Sequence, residues 1–132
     1  MAGLTISYRT PQEVMAAAEP GIRAMLPDAN VPRSVRATGV PVRYGRVAEL
    51  DDLLGEWLGG HAEGTACVVT RASVPARDRV QVLSPELAKG LEFDLVVLVD
   101  PDGFGGGVEG VVDRYVAMTR ATQRLVVLTP GP

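Results

Sequence analysis

Five consecutive apolar residues, Leu95-Val96-Val97-Leu98-Val99, constrain the fold more than any other segment of the chain. Side chains along a strand point alternately to opposite faces, so a strand without a polar face needs cover on both sides. The usual solution is a central strand of a parallel sheet with helices above and below. Short apolar runs alternating with helix-period stretches elsewhere in the chain agree with that architecture. Leu50, Leu53, Leu54, Trp57 and Leu58 recur at the spacing of one helical face and predict a helix that ends at Gly59-Gly60. Strands are expected at Leu4 to Tyr8, Val42 to Val47, Ala66 to Thr70, Arg79 to Leu83 and Leu125 to Leu128, with a short one around Ser34 to Ala37. Thr10-Pro11-Gln12-Glu13 has the form of a capping box opening a helix that Pro20-Gly21 should kink or split. Ser84-Pro85-Glu86 supplies an N-cap, a first-turn proline and a first-turn acid for a short helical turn. Asp102 to Gly110 reads as a glycine-rich connector and Val111 to Thr122 as a helix.

At 132 residues this is one α/β domain with a real core. No segment approaches the roughly 20 uninterrupted apolar residues of a membrane span. The first ten residues lack a basic region followed by an apolar stretch, so nothing marks them as a secretion signal. Cys67 is the only cysteine, which excludes an internal disulfide and a cysteine cluster for zinc. A soluble, cytoplasmic protein is expected.

The net charge of −3 argues against broad electrostatic capture of nucleic acid, which recruits many Lys and Arg. Lys89 is the single lysine, and it stands in Ala88-Lys89-Gly90-Leu91, which is not the glycine-rich turn followed by Lys-Ser or Lys-Thr that cradles nucleotide phosphates. Three groups of residues nevertheless suit a nucleotide, each read as lying where a strand passes into a loop or helix. In Ser7-Tyr8-Arg9-Thr10, an aromatic ring can stack on a base and a guanidinium can chelate phosphate oxygens. In Ala88-Lys89-Gly90-Leu91-Glu92-Phe93-Asp94, Gly90 permits close backbone approach and Glu92 can accept ribose hydroxyl hydrogen bonds. The third group, Asp113 to Thr122, places Arg120 toward the end of a helix, where an arginine also serves simply to complement the helix dipole. Each group alone is as well explained by core filling or solvated charge.

The order Ser-Tyr-Arg, Ala-Lys-Gly-Leu-Glu-Phe-Asp, Tyr-Val-Ala-Met-Thr-Arg-Ala resembles motifs IV, V and VI of the UvrD/Rep class of superfamily-one helicases, across nearly the whole chain. The resemblance implies a RecA-like three-layer α/β domain, the second of the two that enclose ATP, with a mainly parallel sheet covered by helices. It implies adenine stacking by Tyr8, γ-phosphate contacts from Arg9 and Arg120, the latter as arginine finger, and a ribose contact from Glu92 beside Gly90. Phosphate-binding lysine and Mg²⁺ ligands then belong to the N-terminal RecA-like domain of the same parent, the expected partner, so the isolated chain is expected to be inactive. Two departures narrow the branch. Only Thr10 to Leu83 separate motifs IV and V, too few for the DNA-binding subdomain inserted there in translocating helicases. Glu86 stands where those helicases carry a histidine three residues before the motif V lysine, and an acid there would repel a phosphate backbone. The pattern is most similar to HelD-type ATPases, which bind RNA polymerase. The alternatives are a DNA-translocating helicase and a non-catalytic nucleotide-sensing domain. A response-regulator receiver is suggested superficially by Val99-Asp100-Pro101-Asp102-Gly103, but no acidic pair follows an early strand and Lys89 precedes the aspartate.

Overall fold

The computed structural model describes residues 6–7, 10–27, 33–34, 41–61, 63–71, 74, 79–105 and 107–130. Its elements, in chain order, are β1 (Ile6–Ser7), α1 (Gln12–Met25), β2 (Arg33–Ser34), β3 (Arg43–Arg46), α2 (Leu50–Gly60), β4 (Ala66–Val69), β5 (Val80–Leu83), α3 (Pro85–Ala88), β6 (Phe93–Val99), α4 (Gly107–Met118) and β7 (Ala121–Thr129). β3, β7, β6, β4 and β5 form a five-stranded sheet in that order, and every pairing is parallel. β1 and β2 form a separate short parallel pair. The residues between Thr10 and Leu83 supply α1, α2 and three of the five sheet strands.

The apolar run behaves as its lack of a polar face demands: β6 is the middle strand. Val96 and Leu98 pack with Cys67, Val69, Leu125 and Val127 beneath α1, α3 and α4. Leu95, Val97 and Val99 pack on the opposite face with Val68, Val126, Leu128 and the buried stripe of α2. Removing a side chain such as Leu98 from water contributes about 1.5–3 kcal/mol, so this two-sided layer anchors the domain. Cys67 lies in it, and burial pushes its thiol up to about 12, a structural rather than a reactive cysteine. No described helix is long and apolar enough to cross a membrane.

Several local expectations change. Pro11, not Thr10, is the N-cap of α1, because its backbone is extended while its carbonyl accepts from Met15 N at 3.0 Å. Pro20 does not split α1: the proline and Ala16, whose carbonyl loses its donor, are both exposed, while Val14, Met15, Ala18 and Ile22 hold the other face down. The expected connector from Asp102 to Gly110 ends early, because α4 begins within it. A side chain on Gly110 would collide with the carbonyl oxygen of Gly105, and this close approach lets α4 start at Gly107 rather than Val111. At its other end α4 stops at Met118, so Arg120 lies in the turn before β7, not within the helix. β7 begins at Ala121 because Ala121 and Arg124 pair with Phe93 and Leu95 of β6. Of the expected first strand, Ile6–Ser7 is described and is a strand, while Leu4, Thr5 and Tyr8 lie outside the described residues, as do 35–37 of the expected strand near Ser34.

Candidate functional site

β6 and β7 are adjacent and parallel, so the residues just before each strand become neighbours. Phe93 N donates to Arg120 O at 3.0 Å, and Thr122 Oγ1 donates to Phe93 O at 3.2 Å. Glu92 and Arg120, twenty-eight positions apart in the chain, are thereby held side by side. They stand at the amino ends of β6 and β7. The expectation that these two groups follow strands is corrected on this point: the segment of Gly90 and Glu92 leads into β6, and Arg120 leads into β7.

Gly90 has φ +79, a conformation glycine adopts without the steric cost of a Cβ, and there is open space where a side chain would stand. This turn reverses the chain after α3 and leaves Glu92 exposed. Arg120 is partly buried. Its Nε donates to Val116 O at 3.0 Å and its Nη2 to Thr119 Oγ1 at 3.3 Å, so the guanidinium folds over the last turn of α4. The Val116 carbonyl, which also accepts from Thr119 Oγ1 at 3.0 Å, lies at the end of α4 that carries the negative end of the helix dipole. No carboxylate pairs with Arg120 among the described residues.

Tyr8 and Arg9 lie outside the described residues. Thr10, next to Arg9 in the chain, is buried, and its Oγ1 donates to Thr119 O at 3.2 Å. This contact spans 109 residues and ties the end of the first motif to the residue before Arg120. Thr10 carries a tertiary role that its reading as a helix cap missed. Its position inside the Ser-Tyr-Arg-Thr group was the only hint.

The opposite edge of the sheet has a different character. Arg71, after β4, donates Nε to Phe104 O at 2.6 Å, Nη1 to Glu86 Oε2 at 3.1 Å and Nη2 to Glu86 Oε1 at 2.6 Å. Nη2 also lies 3.2 Å from Asp113 Oδ2, whose other oxygen is 3.9 Å from Lys89 Nζ. The Arg71 guanidinium holds the Glu86 carboxyl down at about 2. The Glu86 carboxylate, expected from sequence to repel a phosphate backbone, is held by a bidentate arginine. Arg71 entered no sequence argument about a site, and Asp113 entered only as the first residue of the third group; the two meet only through the fold.

His61 and Trp57 keep modest roles. His61 ends α2, with its ring stacked on Trp57 at 4.5 Å between centroids and its Nδ1 2.8 Å from Trp57 O.

Neither a protein-family model nor a curated protein sequence matches the chain. Among solved structures, the chain is similar to the C-terminal domain of a possible DNA helicase from Lactobacillus plantarum WCFS1, with a TM-score of 0.65 over 95% of this chain and 88% of that one. Identity is 16%, so the likeness is one of fold: a RecA-like α/β arrangement of five parallel strands between helical layers.

Proposed function

We propose that this chain is the second RecA-like domain of a helicase-like ATPase and supplies half of an inter-domain ATP site from the amino edge of its sheet. The observation that carries the reading is the pairing of Phe93 with Arg120, which brings the second and third motif groups together, with Thr10 bonded to Thr119 beside them. A carboxylate and a guanidinium on one open edge suit opposite ends of a nucleotide: Glu92 the ribose hydroxyls, Arg120 the γ-phosphate. Tyr8 and Arg9 complete the half-site, the first stacking on adenine and the second reaching the γ-phosphate. ATP would arrive with Mg²⁺ held by the other RecA-like domain. When bound, the metal neutralises charge on the β- and γ-phosphates. For this chain the task is to swing Arg120 from the Val116 carbonyl onto the phosphoryl group, where developing charge rewards it most in the transition state.

The parent in this reading is a HelD-type ATPase that engages RNA polymerase, with a single RecA-like second domain over residues 1–132 and no inserted subdomain. The test is to compare steady ATP turnover by this chain alone and by the protein joining it to an N-terminal RecA-like domain. Turnover by the two-domain protein only is expected. Metal-dependent turnover by the chain alone, abolished by Arg120→Ala, contradicts the half-site.

A DNA-acting parent is the second reading, favoured by the match of Arg71 to Glu86, which removes the expected repulsion of a phosphate backbone. The structurally similar domain from Lactobacillus plantarum belongs to a possible DNA helicase. Anisotropy titrations with a fluorescent single-stranded oligonucleotide separate the two. Binding at micromolar or tighter level with steep salt dependence favours the DNA-acting parent; its absence favours the polymerase-bound one.

A further inference from the structure

β3 ends the five-stranded sheet on one side, and among the described residues it pairs only with β7. Its side chains stand largely out of the core: Arg43, Tyr44 and Arg46 are exposed, Tyr44 at 64%. At the other end of the sheet β5 is better covered, with Val80 buried and Val82 and Leu83 half-buried. A terminal strand presents unpaired backbone donors and acceptors, a template beside which another strand can form. Extended peptides use such edges by strand addition, in which main-chain hydrogen bonds give affinity and alternate side chains give selectivity.

Alternation divides the side chains around β3 between two faces. Val42, just before the strand, packs into the layer beneath α1 and α4. Arg43 faces the other way: its Nη2 lies 3.3 Å from Glu49 Oε1, and it lines a recess with Leu53, Glu56 and Trp57 of α2. Tyr44 and Arg46 therefore share the face of Val42, two residues apart. Arg43 is matched by Glu49, whose other oxygen accepts from Arg46 N at 2.6 Å. The Arg46 guanidinium forms no ion pair among the described residues, and the Tyr44 hydroxyl no hydrogen bond.

Charge decides what fits this edge. In a chain of net charge −3, residues 29–48 hold four arginines and no acid. Pairing two copies of β3 in register sets arginine opposite arginine in either strand direction, which disfavours self-association. A single-stranded nucleic acid can stack on Tyr44, but its phosphates call for many cations, and Arg43 is already taken by Glu49. An extended segment with a carboxylate and a β-branched residue at alternate positions satisfies both free side chains, since opposite charges and aromatic–aliphatic pairs stabilise neighbouring strands. We infer that β3 is a docking strand for an extended acidic segment of a partner protein, its carboxylate on Arg46 and its β-branched side chain against Tyr44. The inference rests on the β3 edge alone and stands whether or not the amino edge of the sheet binds ATP.

The nitrogen-15-labelled chain is titrated with acetyl-Thr-Glu-Thr-Val-Thr-Glu-Thr-amide, in which a carboxylate stands two residues to either side of the valine and so reaches Arg46 in either strand direction. Saturable amide shifts at residues 43–46 are expected, with affinity about two- to fivefold above that of the same peptide with Gln for Glu, the scale of a cross-strand charge pair. Arg46→Gln should erase that preference, and Tyr44→Ser should weaken both peptides. Both side chains are exposed, so neither change disturbs the core. The acidic peptide N-methylated at its five central residues cannot complete the ladder and should not bind. Equal affinity for the Glu and Gln peptides, a preference that survives Arg46→Gln, or undiminished binding of the N-methylated peptide would each overturn the proposal. So would octathymidylate shifting the same amides at lower concentration, or no saturable shift at residues 43–46.

Discussion

The two edges of the sheet carry similar residue types and use them in opposite ways. At the carboxyl edge, Arg71 is bound by Glu86, Asp113 and the Phe104 carbonyl, and Lys89 lies beside Asp113. At the amino edge, the Arg120 guanidinium hydrogen-bonds, among the described residues, only to the Val116 carbonyl and the Thr119 hydroxyl, contacts it can exchange for a ligand. An arginine already gripping two carboxylates has little left to offer a phosphate. One resting on a helix end has most of its donors in reserve. The difference lies in how each guanidinium is partnered, not in residue type, and it is the reason the amino edge is the one proposed to meet the nucleotide.

The comparison is broken most sharply by exchanging the two arginines' fates. In the two-domain protein, Arg120→Ala should lower the ATP turnover rate by at least about a hundredfold, on the scale of arginine fingers, and Arg120→Lys should not restore it, since an ammonium lacks the planar fork. Arg71→Met should leave the rate within about twofold, because it touches only the carboxyl edge. A turnover loss in Arg71→Met matching that in Arg120→Ala would erase the distinction. Glu92→Ala comes next, with nucleotide affinity falling about tenfold, the scale of hydrogen bonds to a charged group, and the single-turnover chemical step largely kept.

The smallest effect is on stability against pH. Because the folded Glu86 carboxyl is held at about 2, below its ordinary 4.5, its pairing stabilises the fold fully above 4.5 and the contribution is lost as pH falls toward 2. Both partners are solvent-exposed, so the effect is modest. Thermal unfolding of wild type and Arg71→Met should differ at pH 6 and converge near pH 2. An unchanged gap across that range would mean that Glu86 is not the partner that matters.

Much of the fold was legible because burial imposes a pattern. The run Leu95 to Val99 has no polar face, and the buried α2 residues repeat at helical spacing. Ser84 reads directly as a cap and accepts from Leu87 N at 3.4 Å. What failed depended on tertiary contacts. The start of α4 turns on Gly110 meeting Gly105, and Thr122, Gln123 and Arg124 look polar but β7 runs through them by pairing with β6. The candidate residues Gly90, Glu92 and Arg120 were visible as types in sequence. That they precede their strands required element boundaries, and the matching of Glu86 to Arg71, 15 residues away, leaves no trace in local sequence.

The most direct test is amide hydrogen exchange of the two-domain protein with and without a transition-state nucleotide mimic such as ADP with aluminium fluoride and Mg²⁺. The account predicts slowed exchange at residues 90–92 and 119–121, with residues 71 and 86 unchanged. Protection confined to residues 71 and 86 would place the ligand on the other edge and contradict it.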